Sequence, residues 1–179
     1  KQGFEPAVEG FKHVPFNDLR AMQAAITEKT AAILIEGIQG EGGIYPAKPE
    51  YLLGLRELCT DKNILMMMDS VQCGFFRTGH FQSWETILSD SNSDGFQPDA
   101  FSMAKSLGAG LPMGAIWANE SLQDLLGPGT HGTTFGGTPL VSAHALKALE
   151  IIERDGLAQH AVALGSHLTE QIQTLIEAN

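Results

Sequence analysis

The sequence predicts an α/β fold in which a mostly parallel sheet is flanked by helices. Short continuous apolar runs, typical of buried strands, alternate with longer segments whose apolar residues recur every three or four positions, as in helices. Such an alternation favours a parallel sheet with helices packed on its faces. With 179 residues, the chain is long enough to build one sizeable core.

Two helices are predicted in the first third of the chain, and a helical region is predicted at its end. The first helix lies within 15–30, where Asn17 or Asp18 can cap it. The second lies within 48–63, and its apolar residues form one stripe. From residue 138 onward the pattern is helical throughout.

Four apolar runs predict strands, and they lie within 31–38, 64–70, 98–106 and 113–120. The first run is continuous, which is the pattern of a strand buried on both faces. The three methionines 66–68 are expected to fill core space on both faces of the second strand. Residues 87–99 are rich in Ser, Asp, Asn and Gly, which predicts a surface loop.

Charge and composition exclude some classes of partner. The net charge of −10 argues against nucleic acid and against an anionic membrane surface. No stretch is long and apolar enough to cross a bilayer, and no apolar signal region opens the sequence. Cys59 and Cys73 lack metal-type spacing, as do the histidines, so no metal site is predicted. We expect a protein of the reducing cytoplasm.

Three of the apolar runs end in a functional side chain, namely Glu36, Asp69 and Lys105. Ligands of an open parallel sheet bind outside the carboxyl ends of its strands, so these groups are expected to converge on one cleft. A lysine can attack a carbonyl there, and an aspartate can pair with a protonated ring nitrogen. Those are the two protein groups that a pyridoxal 5′-phosphate (PLP) enzyme needs. On the pattern alone, a plain Lys–Asp ion pair at the sheet edge is the favoured alternative.

Three glycine-rich stretches, 36–43, 106–114 and 129–139, match neither a dinucleotide-binding loop nor a Walker sequence. The second leads into a strand rather than a helix, which argues against a dinucleotide-binding loop there. By composition each stretch is a turn, although Thr133 and Thr134 carry hydroxyls that can donate to a phosphate.

The order of four motifs resembles that of a known family. These motifs are "EGIQGEGG", "MMMDSVQCGFFRTG", "PDAFSMAKSLGAGLPMGA" and "GTHGTTFGGTPL". Together they resemble the class-III aminotransferases of PLP fold type I, and within them the acetylornithine and ornithine aminotransferases. The resemblance covers essentially the entire chain, and it implies part of the fold-type-I large domain.

The resemblance assigns four residues to the cofactor. Lys105 would bind the aldehyde of PLP as a Schiff base and serve as general base once freed. Asp69 would keep the pyridine nitrogen protonated, which makes the ring a better electron sink. Val71 would pack on one face of the ring, and Gln72 would hydrogen-bond its 3-oxygen.

The resemblance also implies partners. Thr134 matches a threonine that reaches the PLP phosphate of the neighbouring subunit, which implies a homodimer of the full-length parent. Glu41 matches a glutamate that pairs with a substrate-binding arginine and swings aside for the second substrate. The implied reaction moves an amino group between N-acetylornithine, or an ornithine-like amine, and 2-oxoglutarate, in arginine biosynthesis. Glu36 is expected to be structural.

Several positions depart from the family pattern. Ser70 and Cys73 stand where the family usually has glutamate and threonine, Thr138 replaces an asparagine, and Gly37 replaces a proline. None of these changes removes a predicted catalytic group. They leave the amino donor open, so ornithine, 4-aminobutyrate and succinylornithine aminotransferases remain alternatives. Aminomutases are disfavoured because they generally lack the glutamine found at Gln72.

The chain is expected to be a fragment of its parent enzyme. Residues 1–160 are interpreted as the central part of the PLP-binding large domain, and 161–179 as a helix leading toward a C-terminal small domain. The phosphate-binding turn and the substrate arginine of full-length relatives are not found in the sequence. A non-catalytic assembly fragment is therefore the alternative from a different functional class.

Overall fold

The computed structural model describes residues 3, 5–91, 93 and 95–178. Its helices are α1 (Leu19–Ala25), α2 (Pro49–Lys62), α3 (Ser83–Ile87), α4 (Pro139–Arg154) and α5 (Leu157–Glu177). Its strands are β1 (Ala32–Glu36), β2 (Ile38–Gln39), β3 (Tyr45–Pro46), β4 (Leu65–Asp69), β5 (Ala100–Met103) and β6 (Ala115–Ala118). Two 3₁₀ helices cover Lys105–Gly108 and Glu120–Leu126.

Four strands form the main sheet in the order β1-β4-β5-β6, and β2 pairs with β3 in a separate hairpin. The β1–β4 and β4–β5 pairs are parallel, whereas β6 runs antiparallel to β5. A parallel pair needs a long crossover, usually a helix. The eleven residues 104–114 between β5 and β6 hold only a short 3₁₀ turn, so the chain reverses instead. The predicted mostly parallel sheet is confirmed.

The core lies between one face of the sheet and α2. Leu52 and Leu55 of α2 and Met66 of β4 have no exposed surface, and Met68 is almost as deeply buried. Pro49 starts α2 at a position where its missing N–H is not needed. Asn63 caps the end of the helix. Its backbone is left-handed, and its N–H bonds the carbonyls of the last turn.

The prediction that β1 is buried on both faces is wrong. Ile33 and Ile35 are 4% and 8% exposed, but Leu34 between them is 58% exposed. β1 lies at the edge of the sheet, and only the face that carries Ile33 and Ile35 packs into the core. A continuous apolar run therefore indicates a strand without showing that both its faces are covered.

The helix predictions differ from the structure mainly at their ends. Asp18 caps α1 by accepting a hydrogen bond from the Ala21 N–H at 2.9 Å. Asn17 instead fixes the neighbouring chain, because its side chain bonds Pro46 O and Lys48 N at 3.0 and 2.8 Å. α1 also ends at Ala25, earlier than predicted.

The segment 87–99 was predicted as a loop, and α3 reaches its first residue, Ile87. Positions 92 and 94 of that segment lie outside the described residues. The short helix α3 and the β2–β3 hairpin were not predicted. The boundary proposed between 160 and 161 falls inside α5, and the domain division stays a prediction.

Cys59 and Cys73 are both free and buried. Among the described helices, none combines the length and the apolar character that crossing a membrane requires. Within the same part of the chain, no three His, Cys, Asp or Glu residues lie together as a metal site would need.

Candidate active site

The carboxyl ends of the three parallel strands meet at one end of the sheet. Of the three groups expected to converge on one cleft, only Lys105 is among the residues that line it. Glu36 pairs in register with Asp69, and Asp69 pairs with Ser102. Lys105 follows β5 by two residues. The groups that sequence reasoning singled out therefore belong to adjacent strands, at the edge where α/β proteins bind ligands.

Asp69 is held in one orientation by its neighbours. Its Oδ1 accepts hydrogen bonds from the Val71 N–H at 3.0 Å and from the Ser102 hydroxyl at 3.2 Å. No described residue donates a hydrogen bond to the other carboxylate oxygen, Oδ2. Val71 is half-buried, and its backbone helps to orient the carboxylate.

Lys105 begins the 3₁₀ turn after β5, and its side chain is exposed. Its Nζ donates a hydrogen bond to Oε1 of Gln72. Gln72 comes from the loop after β4 and rests against Gly40. A Cβ at Gly40 would collide with Nε2 of Gln72, so only glycine leaves the amide in this position. The Gly40 N–H donates to Glu36 Oε2 at 3.2 Å, which supports a structural role for Glu36.

Lys105 opens onto a cleft of about 580 Å³, called here the Lys105 cleft. It is lined by Ile38, Gly40, Glu41, Ile44, Gln72, Cys73, Arg77, Thr78, Lys105 and Ser106. Three predicted site residues, Lys105, Gln72 and Glu41, share this cleft. Asp69 and Val71 are not among its lining residues.

Thr134 does not reach the Lys105 cleft. It is exposed, within a segment without helix or strand between the second 3₁₀ helix and α4. Phe135 beside it is 81% exposed. Thr134 is not among the residues that line the cleft of its own chain. Its assigned role across a dimer interface stays a prediction.

Arg77 is a cleft residue that sequence reasoning missed. Its guanidinium Nη2 donates to the hydroxyl of Ser106 at 3.1 Å, next to Lys105 in the chain. The signal was present, because Arg77 is the only basic residue between Asp69 and His80 in a loop that also carries Gln72.

A second hollow, of about 690 Å³, lies between 77–89 and α5. Its polar lining includes Thr78, His80 and Thr86, whose side chains bond one another at 2.7 and 2.9 Å. It contains none of Lys105, Gln72 and Glu41. The strand-end chemistry therefore belongs to the smaller Lys105 cleft.

The sequence matches the family "Aminotransferase class-III" over residues 1–179. The chain belongs to this family. It is similar to the acetylornithine aminotransferases of Methanocaldococcus jannaschii (45% identity over 99% of this chain) and Gloeobacter violaceus (42% over 97%). A succinylornithine transaminase/acetylornithine aminotransferase of Pseudomonas aeruginosa is 47% identical over 84% of the chain and 35% of that relative. The chain spans 43% and 42% of the length of the first two relatives.

Solved structures of ornithine and acetylornithine aminotransferases share the fold. The ornithine aminotransferase of Toxoplasma gondii aligns with a TM-score of 0.85 at 36% identity, over 97% of this chain and 39% of its own. That structure has PLP at partial occupancy in its active site. The acetylornithine aminotransferase of Elizabethkingia anophelis aligns with a TM-score of 0.84 at 35% identity, over 95% and 42%. The predicted family and fold class are confirmed.

Proposed function

We propose that this chain forms the PLP-binding core of a transaminase that moves an amino group between N-acetylornithine and 2-oxoglutarate, in arginine biosynthesis. The observation that carries the proposal is the arrangement of Lys105 and Asp69 at adjacent strand ends of a class-III aminotransferase fold. Relatives named acetylornithine aminotransferase, at 40–45% identity, support the choice of amino donor.

The residues present fit PLP. Asp69 keeps Oδ2 available for a ring N–H while Val71 and Ser102 fix Oδ1. Lys105 offers a primary amine at the mouth of the cleft, and Gln72 offers an amide beside it. When bound, PLP supplies an electron sink for the negative charge that develops on the carbon losing a proton.

The chain's own residues then divide the work. Lys105 anchors the cofactor, and its freed Nζ removes the proton from the amine-bearing carbon of the donor. Gln72 Oε1 holds that Nζ between these tasks. Asp69 pairs with the ring nitrogen through Oδ2, and Val71 packs against the ring. Glu41, which lines the same cleft, contributes to substrate recognition.

The proposal extends to the whole protein. Thr134, exposed in this chain, reaches the phosphate bound by a second subunit, so the working enzyme is a homodimer. The amino acceptor is 2-oxoglutarate. The two free, buried cysteines support a reducing compartment, the cytoplasm.

A second candidate donor is favoured by specific similarities. The Toxoplasma gondii neighbour is an ornithine aminotransferase, and the Pseudomonas aeruginosa relative carries the name succinylornithine transaminase as well. Ornithine and succinylornithine are therefore the first donors to compare with N-acetylornithine, and 4-aminobutyrate is the remaining alternative from the sequence. A non-catalytic assembly role is the alternative for the chain as a unit.

Cofactor attachment is tested by adding PLP and recording the absorbance spectrum, followed by borohydride reduction and mass mapping. We expect a band of protein-bound PLP and a reduced adduct on Lys105, both lost in Lys105→Ala. Lys147→Ala, at an exposed lysine paired with Glu150, is the matched control and should behave as wild type. An unbound cofactor or an adduct on another lysine would contradict the assignment.

The donor is tested by supplying N-acetylornithine, succinylornithine, ornithine and 4-aminobutyrate in turn, with 2-oxoglutarate, and measuring glutamate. Glutamate formed fastest from N-acetylornithine supports the proposal. Faster turnover of another donor would replace the substrate and keep the reaction class. PLP attachment without turnover of any donor would favour the assembly role for this chain.

A further inference from the structure

The backbone of the turn 105–109, called here the lysine turn, is unusual. Lys105 has a φ of 47° and Ala109 a φ of 46°, a left-handed conformation that L residues rarely adopt. Such residues persist where the surrounding structure fixes them, and they cluster at functional sites. The contacts that fix this turn therefore bear on where the Lys105 amine lies.

Hydrogen bonds within the turn cannot position it. The Leu107 N–H bonds Ala104 O at 3.0 Å, and the Ala109 N–H bonds Ser106 O at 3.1 Å. Both bonds move with the turn, so they shape it without fixing it relative to Asp69. That requires partners from other elements.

Two such partners come from one loop, residues 70–79, called here the clamp loop. Gln72 accepts from Lys105 Nζ, and Arg77 Nη2 donates to Ser106 Oγ at 3.1 Å. The clamp loop follows directly after Asp69, so both contacts link the lysine turn to the strand that carries the carboxylate. A third contact, at 3.2 Å between the His144 ring and Ala109 O, joins the far end of the turn to α4.

The clamp loop is itself well anchored. Phe75 is 5% exposed, and its N–H bonds Phe81 O at 2.8 Å. The Phe81 ring contacts Phe101 of β5 with 6.5 Å between ring centres. The Arg77 N–H bonds Gly74 O at 3.4 Å. The backbone that carries Arg77 is therefore connected directly to β4 and packs, through Phe75 and Phe81, against β5.

The two contacts differ in what happens when Lys105 reacts. Gln72 holds Nζ, the reacting atom, so this bond is lost when Nζ forms its own bond to the cofactor. Arg77 holds Ser106, which takes no part in bond making. Its contact can persist through every step.

We propose that Arg77 is a positioning residue that holds the lysine turn through Ser106 while Lys105 Nζ is engaged. This inference rests on the proposed function. Arginine suits the role better than lysine, because its guanidinium stays charged and presents a rigid fork of donors. A lysine at this position would also place a second primary amine in the cleft that binds an aldehyde.

The first test needs no cofactor. Hydrogen exchange is measured for the amides of Leu107 and Ala109 in wild type, Arg77→Ala, Ser106→Ala and the double variant. We expect about tenfold faster exchange in each single variant and no further increase in the double variant, because both changes remove the same bond. Exchange at Met66 and Met68 should not change. Arg154→Ala, at an exposed arginine paired with Asp155, is the matched control.

The second test measures the rate at which Lys105 attaches PLP and the pH midpoint of the bound-PLP absorbance. We expect attachment about tenfold slower in Arg77→Ala and in Ser106→Ala, with a shifted midpoint, no recovery in Arg77→Lys and an unchanged urea midpoint. Unchanged exchange and attachment in both single variants would overturn the proposal, as would additive effects in the double variant. A lowered urea midpoint would reduce Arg77 to a structural role.

The two proposals fail in different ways. If wild type itself shows no PLP on Lys105, the proposed function fails. The exchange measurement still decides whether Arg77 holds the turn through Ser106, because it is made on the protein without PLP.

Discussion

The packed face of the sheet, which lies against α2, is built differently from the rim of the Lys105 cleft, which consists of the residues that line it. The two regions are neighbours along β4, where buried Met68 is followed by Asp69. Beneath α2 the side chains are apolar and deeply buried in regular helices and strands. Around the cleft, polar and charged side chains such as Glu41, Gln72 and Arg77 are mixed with apolar ones, and most of them lie outside regular helices and strands. Five non-glycine residues with positive φ lie in the cleft lining, in the clamp loop or in the turn that begins at Lys105, namely Ile44, Phe75, Phe76, Lys105 and Ala109.

This difference separates two kinds of sensitivity. The packed face depends on volume, because a lost or added methyl group changes the free energy of unfolding. The rim depends on orientation, because one displaced amide or guanidinium moves the Lys105 amine. Substitutions should therefore affect either unfolding or PLP attachment, according to the region in which they fall.

The largest effect on unfolding is expected at Leu55, which is fully buried between α2 and the sheet. Leu55→Ala should lower the free energy of unfolding by about 2–5 kcal/mol, because it leaves a cavity as well as removing apolar contact. Urea unfolding measures the loss. PLP attachment to Lys105 should stay at the wild-type rate in native buffer.

Glu57→Ala is the matched control for that measurement, since Glu57 lies on the exposed side of the same helix. It should change the free energy of unfolding by less than about 0.5 kcal/mol. Slower PLP attachment in Leu55→Ala under conditions where it is fully folded would show that the two regions are coupled, and the comparison would break.

The division between the regions also explains what could be predicted from the sequence. The strands and α2 were predicted because apolar periodicity is local, and parallel-sheet geometry placed Asp69 and Lys105 at one edge. The exposure of Leu34 was not predictable, because an apolar run does not reveal what covers each face. The antiparallel direction of β6 is not visible in the apolar pattern either, because it depends on the small number of residues that link β6 to β5.

The contacts of the rim were harder to predict than its residues. Arg77 and Ser106 are 29 positions apart, and neither matches a motif of its own. Gln72 was assigned through family resemblance, but its bond to Lys105 and its dependence on Gly40 are properties of the fold. Long-range side-chain contacts leave no periodic signal in the sequence.

Gly37 tests the packed face with a smaller change. A Cβ there would collide with Ser83 Oγ and approach Met68 Cε to 3.3 Å. Gly37→Ala should therefore lower the free energy of unfolding by about 1–3 kcal/mol through overpacking. Ser83→Gly in the same chain should recover part of the loss relative to Ser83→Gly alone.

Gly165→Ala serves as the control in urea unfolding, because a Cβ at Gly165 of α5 meets no atom within 4 Å. That change should be neutral or stabilising by up to about 1 kcal/mol, as expected in a helix interior. A Gly37→Ala variant as stable as wild type would mean that the packed face tolerates added volume.

Gly40 tests the rim with the same added methyl group. Gly40→Ala should push Gln72 away from Lys105 Nζ and slow PLP attachment about tenfold, because the amine loses the contact that orients it in the cleft. Its urea midpoint should match wild type. Gln72→Ala added to Gly40→Ala should cause no further slowing, and Gly132→Ala, with open space around its Cβ, is the control. Additive slowing would show that Gly40 acts by another route.

The last effect is expected at high pH, from the thiol within the packed face. Cys59 is fully buried, and this burial raises its pKa from 9.0 to about 11. Between those values the unfolded chain loses the proton first, so the folded protein binds more protons. Stability should therefore decline as pH rises from 9.0 to about 11.

Cys59→Val should flatten that decline when urea midpoints are compared across this pH range. Some slope should remain, because burial, followed by the charge of Asp18, also raises the pKa of Tyr51. Parallel pH profiles for wild type and Cys59→Val would mean that the thiolate is tolerated beneath α2. The packed face would then accept charge as well as the rim does, and the contrast between the two regions would rest on volume alone.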